Sequence, residues 1–382
     1  MNSQPLKAWP FYLKLACVLL SLIALCGIVI VAKELLSPLI FSCLFAILLL
    51  PLADFLEKRL KLRRSAAAMV AVLLLLGAIA LILYVIGGQL AGLAADWPRF
   101  QAQLQGAVTQ LQGWVAQTFH INADRQLTYV HAAADKLVSS GTAVVGATLM
   151  SLSSLLLFFV FTFIYTFFFL LYRRLILKFL ESVFLEENKP LVHDIIEEVQ
   201  YIIRKYITGL LLEMVIVAAV VCTAFWAVGI PYPLLLGLLT ALFNIIPYIG
   251  IFTALLLSTL ITFATAATAG KVLLVIITLV LTHLVDSNIL LPLIVGSKVR
   301  INALITVLGV IIGEMIWGIP GMFLSIPVIA VLKIIFDRVD SLHAWGILLG
   351  DEQVKQNQLA VKLTVKSQKK DQSGSSTKKV VP

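Results

Sequence analysis

Long runs of apolar residues, with almost no charged residue inside them, account for most of this sequence. They lie near residues 11–32, 36–53, 66–88, 149–172, 209–229, 231–264, 272–293 and 303–336. A helix needs about 20 such residues to cross a hydrocarbon core about 30 Å thick. Apolar residues make up 60% of the chain and charged residues only 13%, about half the charge density of a soluble domain. We therefore predict an all-α, polytopic membrane helical bundle of about eight spans.

The basic residues are distributed as a membrane topology requires. The formal net charge is +9, and the excess is concentrated in 58–64, in 173–205 and in the C-terminal tail, whereas 89–148 holds only three basic residues. Because short cytoplasmic loops are enriched in Lys and Arg, we expect both termini in the cytoplasm and 89–148 outside a bacterial inner membrane. The lipid bilayer is the expected partner, and nucleic acid is not.

Motifs for enzymatic or metal chemistry are absent from the sequence. The Walker pattern, H-E-x-x-H and G-x-S-x-G do not occur. The four cysteines, Cys17, Cys26, Cys43 and Cys222, lie in apolar runs without metal or disulfide spacing. We expect no cofactor, no metal and no catalytic residues, and the long first apolar run is interpreted as a retained span rather than a cleaved signal.

Two amphipathic regions interrupt the apolar runs. In 89–148, apolar residues recur at spacings of three and four, which predicts a helical hairpin outside the membrane. It either buries both apolar stripes against each other or contacts a partner or a second copy of the chain, so a homo-oligomer is left open. In 189–208 a second amphipathic helix either lies along the cytoplasmic interface or couples the two halves of the bundle.

These features divide the chain into six segments. They are the N-terminal membrane spans (1–88), the extracytoplasmic helical hairpin (89–148), the fourth span with a cytoplasmic loop (149–188), the amphipathic helix (189–208), the C-terminal membrane transport core (209–340) and a basic disordered tail (341–382).

Two apolar stretches, 229–263 and 302–336, are too long for one straight crossing and are interrupted midway. Proline removes a backbone donor, and the freed carbonyls persist in a membrane only where protein or a wet cavity covers them. Paired interruptions of this kind indicate a transporter site, with simple kinks as the alternative. The stretches either cross or re-enter. The predicted breaks or hinges are Pro247, Gly250, Pro292, Gly318, Pro320 and Gly321.

Four polar residues at depth are the candidate substrate- or ion-binding residues: Asn244, Asp286, Asn288 and Glu314. An ionisable side chain near the bilayer centre costs roughly 2.5–3.5 kcal/mol on insertion scales, so such residues usually face a cavity or a partner. Structural roles in capping or in joining helices are the alternative. Glu213 lies near the cytoplasmic end of its span and is expected at the interface.

The C-terminal half resembles the autoinducer-2 exporter family of bacterial membrane proteins. The phrases that carry the likeness are NIIPYIG at 244–250 and DSNILLPLIVGSKVRINALITVLGVIIGEMIWGIPGMFLSIPVIAVLKIIFD at 286–337. The resemblance implies eight spans, with the N-x-x-P-x-x-G phrase on Asn244, Pro247 and Gly250, the acidic position on Asp286, and the late G-x-x-G on 318–321. Glu314 departs from the pattern, since small residues are usual at that position.

The resemblance also implies a function. Members are associated with export of the quorum-sensing signal autoinducer-2, and others resemble sodium(lithium)/proton antiporters. The leading hypothesis is a secondary transporter that exports a small solute, coupled to an ion gradient, and the alternative is cation/proton antiport. A non-transporting membrane scaffold or regulator that acts through 89–148 is the hypothesis of another class.

Overall fold

The computed structural model of the chain describes residues 10–96, 155–246, 249–266, 268–294 and 301–350, with isolated positions between 98 and 109. The apolar runs within these ranges form helices, since a backbone in hydrocarbon must satisfy its own hydrogen bonds. In chain order the helices are α1 (Phe11–Val31), α2 (Lys33–Arg59), α3 (Arg64–Ala95), α4 (Leu155–Leu171), α5 (Arg173–Val183), α6 (Lys189–Ala227), α7 (Pro233–Phe243), α8 (Ile249–Ala266), α9 (Ala269–Val285), α10 (Leu291–Ile294), α11 (Ala303–Trp317), α12 (Ile319–Arg338) and α13 (His343–Leu349).

Five helical stretches in the described ranges are long and apolar enough to cross a membrane. They are α2, α3, α6, the stretch from Gly270 to Ile294, and α12. A sixth is obtained if α4 and α5, which are bent by 73° at their junction, form one broken span. The all-α polytopic class is therefore confirmed. The count of eight crossings stays a prediction, because the shorter apolar helices such as α7 and α11 add to the count only if they cross.

Helices α2 and α3 pack together through small residues, which let helix backbones approach closely. The contact includes alanines with no exposed surface: Ala53, Ala67, Ala68 and Ala71. Arg173 stands at the start of α5. Its Nη2 lies 2.7 Å from Asp54 Oδ1 and 3.0 Å from Glu57 Oε1. This ion pair ties the C-terminal part of α2 to the junction between α4 and α5.

Helix α6 is one continuous helix of 39 residues. It joins the predicted amphipathic element 189–208 and the predicted span 209–229, which are therefore parts of a single helix rather than separate elements. At 1.5 Å per residue it is about 58 Å long, well beyond the thickness of a hydrocarbon core. Whether 189–208 lies along the interface or couples the two halves of the bundle stays a prediction.

The described residues fall into two compact units. The first contains those within 1–180 and 203–296, and the second those within 181–202 and 297–382. In the first unit, α7 packs against α8 and α8 packs against α9. Apolar residues of α6, α7 and α9 form its buried core there: Val217, Val221, Phe225, Leu236, Ala241, Val275 and Leu279.

In the second unit, α11 and α12 form an antiparallel hairpin that turns at Gly318, whose φ is +66°. The helices approach so closely that a Cβ on Gly321 would lie 1.9 Å from the carbonyl oxygen of Gly313. Only glycine fits such an approach, and glycine also adopts the positive φ of the turn without strain. Pro320 stands in the first turn of α12, where its missing N–H costs no hydrogen bond. The second predicted break is therefore a packed turn between two helices.

The ends of the predicted segments differ from the structure in two places. The segment 341–382 begins with the helix α13, so its first residues are ordered: HAWGILL is apolar, and Gly346 packs against Asp337 of α12. Residues 351–382 lie outside the described residues. The predicted hairpin 89–148 begins within α3, which continues to Ala95, and most of the hairpin lies outside the described residues.

Candidate functional site

Asn244 follows directly after the last residue of α7, at the first predicted break. Gly250, near the start of α8, is packed against this helix end. A Cβ on Gly250 would lie 1.9 Å from the carbonyl oxygen of Phe243 and 3.1 Å from the backbone nitrogen of Asn244. A side chain at position 250 would displace the end of α7, so the glycine sets the position of Asn244. Pro247, the remaining member of the phrase, lies outside the described residues.

Asp286 begins a π-helical segment, Asp286–Leu290, which continues α9. Pro292 follows in α10. Its ring lacks an N–H and would clash with the carbonyl oxygen of Asn288 in a regular α-helix, which favours a widened turn just before it. The side chain of Asn288 donates a hydrogen bond of 2.8 Å to the carbonyl oxygen of Leu284. Single π-helical turns occur frequently at functional sites.

Glu213 lies on the buried face of α6. Buried residues recur along this helix at spacings of three and four: Tyr206, Leu210, Glu213, Val217 and Val221. Glu213 is only 3% exposed. Its expected place at the membrane interface stays a prediction, and the structure shows that the side chain is covered by other residues of the first unit.

The side-chain amide of Asn244 joins the two buried acids. Its Nδ2 donates one hydrogen bond of 2.9 Å to Glu213 Oε1 and another of 2.9 Å to Asp286 Oδ2. Both hydrogens of the amide nitrogen are thereby used. Three helical elements, α6, the end of α7 and the π-helical segment, thus meet in one polar cluster, which we call the amide-bridged cluster (Glu213, Asn244 and Asp286).

Each acid of the amide-bridged cluster keeps one oxygen without a partner. Glu213 Oε2 and Asp286 Oδ1 are buried and accept no hydrogen bond, and Asp286 is 5% exposed. Buried polar atoms are normally paired. These two oxygens therefore leave room for a further donor, either a proton on the carboxyl group or a bound species.

The charge balance of the amide-bridged cluster also favours a bound proton or cation. Among the described residues, neither Glu213 nor Asp286 has a Lys, Arg or His ion-pair partner. Two carboxylate oxygens held by one nitrogen lie within about 6 Å of each other, a range in which like charges repel strongly. Burying an uncompensated ion costs several kcal/mol. The cluster is therefore suited to binding a proton or a small cation.

A cavity of about 220 Å³ lies beside Asp286, between α6 and α9. Most of its wall is aliphatic, and the only charged side chain in the wall is that of Asp286. The lining residues are Ile216, Val217, Val220, Leu281, Thr282, Val285, Asp286 and Leu290. The cavity belongs to the first unit alone.

Two of the four predicted binding residues, Asn244 and Asp286, meet within the first unit. Asn244 and Asp286 are hydrogen-bonded, whereas Asn288 is exposed and bonds to its own helix. Glu314 lies in α11 of the second unit and its side chain is exposed there, so a binding role for Glu314 stays a prediction. His283 lies three residues before Asp286, and its Nε2 is 3.3 Å from the hydroxyl oxygen of Ser287.

Glu213 is the member of the amide-bridged cluster that sequence reasoning did not select. A signal for it was present, because Glu213 falls on the same helical face as Val217 and Val221. An acid on the apolar stripe of a helix is expected to face the interior of the bundle. The position of Glu213 close to the start of the predicted span concealed this signal, since α6 begins well before that start.

Comparisons with known proteins agree with this architecture. The family described as AI-2E family transporter matches residues 19–341. The chain is 28% identical over 320 residues to "Putative transport protein YrrI" of Bacillus subtilis strain 168, which covers 80% of this chain and 86% of that protein. It is 25% identical over 213 residues to "Putative permease PerM" of Escherichia coli K12, which covers 55% of this chain and 58% of that protein. The resemblance found in the sequence is confirmed: the chain belongs to the AI-2E transporter family and is an integral membrane transport protein.

Proposed function

We propose that this protein is a secondary transporter that exports a small solute, and that the amide-bridged cluster couples export to an ion gradient. One observation carries the proposal: two buried carboxyl groups share a single amide donor and each keeps an unpartnered oxygen. A site of this kind changes its charge when it gains or loses a proton or a cation.

The coupling follows from the position of the three residues. Glu213, Asn244 and Asp286 belong to three separate helical elements. When the carboxyl groups are neutralised, the amide bridge can hold these elements together. When they are both charged, repulsion favours their separation. Occupancy by a proton or cation is thus linked to helix arrangement, which is the requirement for a coupled transporter.

Sodium(lithium)/proton antiport is the second candidate. Ion exchange favours converging carboxylates, and two of them lie together within the first unit. Glu213 supplies the second carboxylate beside Asp286. Oxygen ligands of this type suit hard cations, and this supports antiport as a function of the same site.

Autoinducer-2 is the first solute to be tested for export, because the family in which the chain falls carries its name. The amide-bridged cluster is the proposed coupling site whichever solute is carried. Export of the solute and movement of the coupling ion are therefore measured separately.

The test uses inverted membrane vesicles that contain the full chain. Proton movement is followed with a fluorescent pH indicator after addition of sodium, lithium or candidate solutes, autoinducer-2 included. We expect Glu213→Gln and Asp286→Asn each to lower ion-coupled flux at least about tenfold, since each removes the charge change at the site.

Glu34→Gln is the matched control. Glu34 is an exposed acid in the first turn of α2, so its loss removes one carboxylate outside the amide-bridged cluster and should leave flux unchanged. Wild-type flux in both cluster variants would refute the proposal. Equal losses in all three variants would also refute it, because the effect would then belong to overall charge.

A further inference from the structure

We propose that the cavity between α6 and α9 is a binding site for a small lipophilic organic cation, about the size of one aromatic ring with a quaternary ammonium group, and that such cations are the exported substrate class. The inference rests on the proposed transport function and names the substrate of that site. Three properties of the cavity carry it: its size, its wall and its opening.

The volume restricts the occupant to a single small molecule. The cavity holds about 220 Å³. An apolar cavity of about 150 Å³ is known to bind benzene, so one ring with a few additional heavy atoms fits. A drug-sized ligand would extend out of the cavity, because such ligands occupy pockets of roughly 300–1,000 Å³.

The wall selects for apolar surface with one positive charge. Ile216, Val217 and Val220 of α6 face Leu281 and Val285 of α9, and six of the eight lining residues are aliphatic. A polyhydroxylated solute would leave most of its hydroxyl groups without partners against this wall, and each unpaired polar group costs about 1–3 kcal/mol. For a hydrocarbon ring, by contrast, transfer from water to this wall is favourable in free energy.

Asp286 supplies the complementary charge. It is the only charged residue of the wall, it is 5% exposed, and its Oδ1 has no hydrogen-bond partner. Its other oxygen, Oδ2, accepts the hydrogen bond from Asn244. A cation in the cavity would lie beside this buried carboxyl group, and the attraction between opposite charges in apolar surroundings would favour the charged form of the acid. Substrate and proton would therefore act on the same carboxyl group in opposite directions.

The cavity opens at the outer surface of the helices. Val220 is 48%, Leu281 56% and Val285 46% exposed. These residues lie inside two candidate membrane spans. A lipophilic cation can thus reach the site from within the bilayer, a route that a strongly hydrated solute lacks.

Benzyltrimethylammonium is the probe that tests the proposal, because it combines one ring with a permanent positive charge. Purified full-length protein in liposomes is assayed for uptake of the labelled probe, with choline and benzoate as competitors. Choline retains the charge without the ring, and benzoate retains the ring with the opposite charge. We expect saturable uptake of the probe and competition by choline and benzoate at least about tenfold weaker than by the unlabelled probe.

Substitutions in the wall distinguish the cavity from the bulk membrane. Val220→Phe should fill the cavity and lower uptake at least about tenfold. Val215→Phe is the matched control, since Val215 is on the same helix, is 66% exposed and does not line the cavity. Leu281→Ala should enlarge the cavity and extend uptake to dibenzyldimethylammonium, which tests the site even if Val220→Phe fails to fold.

The outcomes separate this inference from the transport proposal. If wild-type protein exchanges protons for sodium, lithium or another solute but takes up no benzyltrimethylammonium, the cavity proposal alone is overturned. Equal uptake by Val220→Phe and Val215→Phe, or uptake that does not saturate because lipid chains occupy the cavity, also overturns it. Loss of all ion-coupled flux in the wild type would instead overturn the transport proposal itself.

Discussion

The two interrupted apolar stretches look alike in sequence, yet they serve different ends in the structure. In the first, Gly250 brings α8 against the end of α7 and places Asn244 between Glu213 and Asp286. In the second, Gly318 and Gly321 form the turn and the close contact of the α11–α12 hairpin.

The difference shows that glycine and proline in an apolar stretch indicate its backbone geometry, and do not by themselves indicate a binding site. Both stretches require close backbone approach, and both use glycine to achieve it. Among the described residues, it is the first stretch that positions a half-buried polar side chain, Asn244, which is bonded to residues of other helices. The acid of the second, Glu314, is exposed on its own unit. We therefore expect substitutions in the first stretch to change transport and substitutions in the second to change stability.

The largest loss of flux is expected for Asn244→Leu. Leucine has a similar volume but no donor, so Glu213 and Asp286 lose the hydrogen bonds that join them, and their buried oxygens become unpaired. We expect ion-coupled flux in vesicles to fall at least about tenfold, which corresponds to about 1.4 kcal/mol. A variant that folds normally and transports at the wild-type rate would show that the amide bridge has no role in coupling.

A smaller but clear loss is expected for Gly250→Ala. The added Cβ would lie 1.9 Å from the carbonyl oxygen of Phe243, so the start of α8 must move away from Asn244. Overpacking of this kind costs roughly 1–3 kcal/mol. Both the thermal midpoint in detergent and the flux per folded molecule should decrease. A decrease in the midpoint alone would mean that the position of Asn244 does not depend on this contact.

Gly321→Ala is the matched substitution in the second stretch. Its Cβ would meet the carbonyl oxygen of Gly313 at the same distance of 1.9 Å, so a similar loss of stability, roughly 1–3 kcal/mol, is expected. Flux per folded molecule should stay within about twofold of wild type, because the amide-bridged cluster contains no residue of this hairpin. A flux loss equal to that of Gly250→Ala would remove the distinction between the two stretches.

The smallest effect is expected for Glu314→Gln. The side chain is exposed within the second unit and no hydrogen bond of its carboxylate is found among the described residues, so neither stability nor flux should change by more than about 0.5 kcal/mol. A tenfold loss of ion-coupled flux would instead restore the sequence-based hypothesis that Glu314 carries protons.

Much of the fold follows from local patterns along the chain. The apolar runs predicted the helices, and the amphipathic pattern of 189–208 predicted the helical start of α6. Within the site, Asn244 and Asp286 were selected because polar residues are rare in apolar segments. Glu213 was not selected, because the position of a residue along the chain does not show which face of its helix another helix covers.

The sequence by itself determined that this is a polytopic helical membrane protein of a transporter family, because length, apolar content and charge placement are properties of single segments. The tertiary structure alone decided which acids meet. The amide-bridged cluster joins residues 31 and 42 positions apart along the chain, and such contacts depend on how α6, α7 and the π-helical segment pack. Packing also decided that one interrupted stretch holds a polar cluster while the other forms a glycine-lined turn.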